Sequence, residues 1–217
     1  MPGITRLDGP ADLAGGWWLD WAEDPAPEHG TLLARRGPVT DMRPLRRHVL
    51  PSNRRVDGTA YALPDTTVTV NPAGPLVRLR LCSQGDFDCD LREGDGLLVA
   101  AVDSEALPAP DTAPIRLVFS TPVTALGTRV AGAGQGATGQ PFRAVLWVRR
   151  DGRARWEAPV SVRGVLGTVV IGGTATAPFI GARVDAEPGI AEARLTLSTG
   201  PGRRFDSIAI CPLHGLP

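Results

Sequence analysis

The stretch GDFDCDLREGDG, residues 85–96, gathers Asp86, Asp88, Asp90, Glu93 and Asp95 around Cys89. Carboxylates at alternate positions suit a hard cation such as calcium, because successive oxygens can wrap around it. Asp86, Asp88 and Asp90 have the spacing of the first ligands of an EF-hand loop. The match ends there: Leu91 stands where that loop needs glycine, and Leu97 where it needs a bidentate glutamate. Three readings remain open: an irregular calcium site built on Asp86, Asp88 and Asp90, a solvated hairpin connection, and a catalytic acid pair. For the last, nothing nearby gives one carboxyl a reason to stay protonated. Calcium is the one cofactor the sequence suggests.

Tryptophan is the second chemically suggestive residue type. WWLDW brings Trp17, Trp18 and Trp21 together, and Trp147 and Trp156 flank the turn RRDGRAR. Flat aromatic faces beside Asp, Asn or Arg can stack on the C–H-rich faces of sugar rings, which leave water favourably. On that reading Trp17, Trp18, Trp147 and Trp156 contact a ligand. The alternative makes Trp17 and Trp21, four apart, the apolar side of a short helix docked on the body of the protein.

All 23 basic residues are arginine, and 23 acidic residues balance them. With no net field, a nucleic-acid partner is not expected. Arginine pairs at 35–36, 46–47, 54–55, 149–150 and 203–204 read as solvated surface, with an anion site as the alternative. GQGATG, residues 134–139, satisfies GxGxxG, but the alternating QPFRAVLWV follows it where a phosphate cradle needs a helix. The chain has no GxSxG, HExxH, Walker loop or CxxC, and His29, His48 and His214 lie far apart. No catalytic residue is assigned.

The elements that must position these groups repeat every two residues. LVRLRL (76–81), IRLVF (115–119), FRAVLWV (142–148), ARLTLS (193–198) and FDSIAIC (205–211) alternate apolar and polar positions, the pattern of half-buried strands. Further strands are expected at 66–70, 97–102, 123–130, 159–171 and 176–185. Between them lie turn sequences such as NPAG, RDGR and AEPG. About ten short strands with no long amphipathic helix predict an all-β fold, an antiparallel β-sandwich of jelly-roll type. Residues 59–217 would form it. Residues 1–58 are less regular and read as an N-terminal extension packed on the sandwich, with one short helix around the tryptophans and a strand at TLLARR.

At 217 residues such a domain buries roughly 70% of the surface of its unfolded chain, enough for a core without disulfides or metal. No window carries the roughly 20 apolar residues of a membrane span, and the first residues lack the pattern of a signal peptide. The compartment is therefore the cell surface or exterior if a leader was removed, and the cytoplasm otherwise. Of the three cysteines, Cys82 and Cys89 can bridge only in an oxidising compartment, while Cys211 reads as a small apolar residue of a buried strand.

IRLVFSTPVTALGTRVAG, FRAVLWVRRDGRARWEAPV and PFIGARVDAEPGIAEARLTLSTGPGRRFDSIAIC follow one another over residues 112–212. This series resembles the jelly-roll ectodomains of exported bacterial proteins that carry a PEP-CTERM sorting tail. The resemblance implies a surface or matrix role with glycan contact, and it brings no catalytic residues. The chain ends CPLHGLP, without such a tail.

The leading expectation is a noncatalytic binding or adhesion module that takes a glycan or protein partner across its loops, with calcium assisting. The runner-up is a structural subunit of an appendage, capsid or injection machine, and the third is a polysaccharide-active hydrolase. The sequence leaves the oligomeric state open.

Overall fold

The computed structural model describes residues 3–21, 35–36, 54–81, 96–102, 107–134, 139–166, 177–199 and 205–217. Across these residues the chain forms two antiparallel sheets. Six strands make one of them: β5 (Ala60–Leu63), β6 (Thr66–Val70), β9 (Ile115–Val123), β11 (Pro141–Arg150), β12 (Val160–Val165) and β14 (Ile190–Ser198). They pair in the order β12-β11-β14-β9-β6-β5. The other sheet takes β1 (Ile4–Leu7), β2 (Trp17–Leu19), β3 (Arg35–Arg36), β4 (Arg54–Arg55), β7 (Val77–Leu81) and β8 (Gly96–Ala101). Its remaining strands are β10 (Ala125–Ala133), β13 (Phe179–Val184), β15 (Ser207–Ile210) and β16 (Leu213–Leu216).

Strand β10 organises the larger sheet. Its first half pairs with β16 and with β13, and its second half pairs with β15. β15 and β16 are separated by Cys211 and Pro212. Proline has no N–H to donate, so the ladder breaks there. β2 continues the sheet beyond β16, β8 continues it beyond β15, and β1 closes the β13 side.

Alternation explains the layering, because side chains at every second position leave a strand on the same face. Leu126, Val130, Ile180, Ile208 and Ile210 from the larger sheet meet Ile115, Leu117, Leu146, Val148 and Leu195 from the smaller one in a single buried core. The β-sandwich expected from period-two patterning is the architecture observed. The strands read at 66–70, 76–81, 97–102, 115–119 and 142–148 correspond to β6, β7, β8, β9 and β11.

In the N-terminal segment the strand expected at TLLARR corresponds to β3, while the helix expected around the tryptophans is not formed. The segment's described residues supply β1, β2, β3 and β4 to the larger sheet, and helical structure among them is confined to a 3-10 turn at Pro10–Leu13. The tryptophan run is a strand, not a helix. A spacing of four is also two strand periods, so Trp17, Leu19 and Trp21 all bury on the inner side while Trp18 is half-buried on the other. GQGATG likewise leads into strand β11, which begins at Pro141. Among the described residues, no helix is long and apolar enough to cross a membrane.

Candidate functional site: an arginine and tryptophan face

The outer face of the smaller sheet carries a dense polar cluster on its central strands. In β9 the inward positions are Ile115 and Leu117, so Arg116 points outward. In β14 Ala193 and Leu195 point inward, leaving Arg194 outside. Register does the rest: Arg194 lies opposite Arg116 on one side and Trp147 on the other. Arg149 lies opposite Glu192. Alternation places Glu192 on the same face as Arg194, where it is only 1% exposed, and the register irregularity before it lets Ile190 turn into the core.

Glu192 joins the three arginines. Its Oε1 accepts from Arg116 Nε at 2.6 Å and from Arg194 Nε at 2.8 Å. Its Oε2 accepts from Arg116 Nη2 at 3.3 Å and from Arg149 Nη2. Burial by itself pushes this carboxyl up. The hydrogen bonds from Arg116 and Arg194, with their positive charges, outweigh that and hold it below the usual carboxylate range. It is therefore a fixed anion and a poor proton donor.

Trp156 lies against the same cluster. The guanidinium carbons of Arg194 and Arg149 sit 4.9 and 5.3 Å from its ring centroid, within cation–π range. The loop carrying Trp156 is tied at both ends. Glu157 N–H donates to the Val148 carbonyl at 3.0 Å, and the Glu157 carboxylate pairs with the fully buried side chain of Arg150 at 3.0 Å. Gly152 adopts φ +65° within this turn, a conformation that glycine takes without steric penalty. Beneath the ring, Ala113, Val145 and Trp147 form a small apolar cluster against which Trp156 packs.

Arg116 is positioned from a second direction by Asn71, which is wholly buried. Asn71 Oδ1 accepts from the Arg116 backbone N–H at 2.6 Å, and its Nδ2 donates to the Pro75 and Pro114 carbonyls, both at 2.7 Å. Arg194 Nη1 donates to the Pro110 carbonyl at 2.7 Å. These two arginines are therefore held by backbone as well as by Glu192.

The predicted ligand contacts do not converge. Trp147 and Trp156 belong to this face, but Trp147 is 6% exposed and forms the floor. Trp17 and Trp18 lie in β2 of the other sheet. Trp17 is 1% exposed and packs against Phe119, with ring centroids 6.4 Å apart, so its ring is part of the core. Trp18 is half-buried, opposite His214 in β16. Trp156 alone of the four borders the arginines and keeps part of its surface in solvent. Asp86, Asp88 and Asp90 lie outside the described residues. Among the described residues, no group of three or more His, Cys, Asp or Glu side chains is placed to hold a metal ion.

Sequence reasoning read the pair Arg149–Arg150 as solvated surface, with an anion site as the alternative, and missed Arg116, Glu192 and Arg194 as site residues. The available signal was charge at the outward positions of two strands whose apolar content marks them as central.

Comparison with known proteins finds no matching family model, curated protein or solved structure. The functional reading therefore rests on the geometry of this face and on the sequence.

Proposed function

We propose that this chain is a noncatalytic β-sandwich binding module whose ligand, a glycan, lies on the outer face of the smaller sheet against Trp156 and Arg149. One observation carries the reading: two guanidiniums held by Glu192 on the central strands of a sheet lie against a half-buried indole. Aromatic surface beside fixed hydrogen-bond donors is the composition that saccharide sites use, and fixing the donors beforehand lowers the entropic cost of binding. The resemblance to PEP-CTERM ectodomains implies the same ligand class at a cell surface or matrix. Glu192 has both oxygens engaged by arginine, so the carboxylate at this site is structural and no hydrolytic role is assigned to it.

A glycan array read with the wild-type chain and with Trp156→Ala tests the proposal. Retention of a saccharide that the variant loses supports it, and retention of none overturns it. Repeating the array with a calcium chelator tests the assistance proposed for Asp86, Asp88 and Asp90. Loss of signal on chelation would assign calcium a part, and an unchanged signal would remove it.

A further inference from the structure

Resting on that reading of the face, we infer that the saccharide bound there is acidic, and that Arg149, flanked by Arg194 and Arg116, seats its carboxylate or sulfate ester. Charge supplies the first argument. Three guanidiniums share the single buried carboxylate of Glu192. The other acid in contact, Asp111, reaches Arg194 at 3.5 Å with a side chain 89% exposed, so water screens it. The face keeps a positive surplus although the whole chain is neutral.

Unused donors supply the second argument. A guanidinium carries five N–H groups in a fixed plane. Arg116 and Arg194 direct theirs to Glu192 and to the Pro72 and Pro110 carbonyls. Arg149 gives one N–H to Glu192, and among the described residues its other donors meet no acceptor, while 35% of its side chain remains exposed. Its plane is nevertheless fixed, by Glu192 at one edge and by the Trp156 ring 5.3 Å away. An immobilised guanidinium with a free edge is complementary to the paired oxygens of a carboxylate or sulfate, which accept two parallel N–H bonds. Neutral hydroxyls would use such a fork less fully. The face therefore discriminates by charge and not only by ring shape.

The test is an array that sets neutral saccharides beside uronate and sulfate-ester counterparts of the same backbone, read at low and high salt. A parallel melting experiment uses inorganic sulfate alone. The acidic members should be retained at least about tenfold more strongly, and high salt should remove the difference. Arg149→Ala should abolish the preference. Arg143→Ala, an exposed arginine on the same strand, should leave it in place and controls for folding and general charge. Preference for uronates over sulfates, or the reverse, identifies the oxyanion. Equal retention of neutral and acidic members overturns this inference while leaving the glycan reading standing. If no saccharide is retained but sulfate still raises the melting temperature through Arg149, the anion seat stands and the glycan reading fails. With neither saccharide nor sulfate bound, both fall.

Discussion

Arg150 and Glu157 form an ion pair of 3.0 Å that closes the loop bearing Trp156, with the arginine side chain fully buried and the glutamate one-quarter exposed. The guanidinium also donates to the carbonyls of Ala186 at 3.0 Å and Gly3 at 3.3 Å. One side chain thus joins the β11–β12 connection, the turn before β14 and the N-terminal segment. It sits beside the proposed binding face without belonging to it.

Removing only the cation leaves two carbonyls without their donor and Glu157 with the exposed Arg153 alone, at 3.4 Å. Arg150→Met should cost about 3 kcal/mol or more in denaturant unfolding, the scale for breaking one side of a buried pair. Adding Glu157→Gln should recover part of that loss, because a carboxylate held only by the exposed Arg153 is then gone. A double variant no more stable than Arg150→Met would show that the packing of Arg150 matters more than its charge.

Glu192 sets an acid limit. Its folded carboxyl titrates below the ordinary range, so the folded state holds this proton less readily than the unfolded chain, where glutamate titrates at about 4.3. The stabilisation is complete above that value and declines as pH falls through the lower folded value. Glu192→Gln should destabilise the protein by about 1–3 kcal/mol at neutral pH, the scale of a charge-assisted hydrogen bond. It should also flatten the melting profile below pH of about 4.3. Parallel wild-type and variant profiles through the acid range would refute the assignment.

Asn71 should behave as a buried structural amide that also holds Arg116. It adopts φ +41°, where asparagine is better tolerated than most residues. Asn71→Ala leaves two carbonyls and the Arg116 N–H unmet, and should cost about 2–4 kcal/mol. Asn71→Asp keeps the acceptor for the Arg116 N–H but sets a buried carboxylate oxygen against the Pro75 and Pro114 carbonyls, so near neutral pH it should cost at least as much as alanine. Chemical denaturation of the three chains checks the order.

Gly215 faces the Trp17 indole so closely that a Cβ would enter the ring's space. Gly215→Ala must push Trp17 away from its place in the core or shift β16 against β2. Overpacking of this kind costs about 1–3 kcal/mol. Tryptophan fluorescence and the unfolding midpoint should change together, whereas a neutral substitution would mean that this edge of the sheet moves freely.

Much of the fold was legible because strand periodicity is local. LVRLRL and IRLVF declare their buried faces without reference to any other segment, and β7 and β9 follow from them. The tryptophan run was less legible because a separation of four residues fits one helical turn and two strand periods alike. Pairing of β2 with β16, near the opposite end of the chain, decides for the strand. The binding face was least legible. The pair Arg149–Arg150 reads as solvated surface with an anion site only as the alternative, and Arg116 and Arg194 as ordinary outward residues of their strands.

The sequence by itself determined that this chain makes layered β-structure, and which side chains of each strand turn outward, since alternation depends only on neighbouring residues. Only the tertiary structure decided that Arg116, Arg149, Arg194 and Glu192 meet. Their contact is set by the register between β9, β11 and β14. Register across strands distant in sequence is fixed by the packing of the whole core, so no local pattern encodes it.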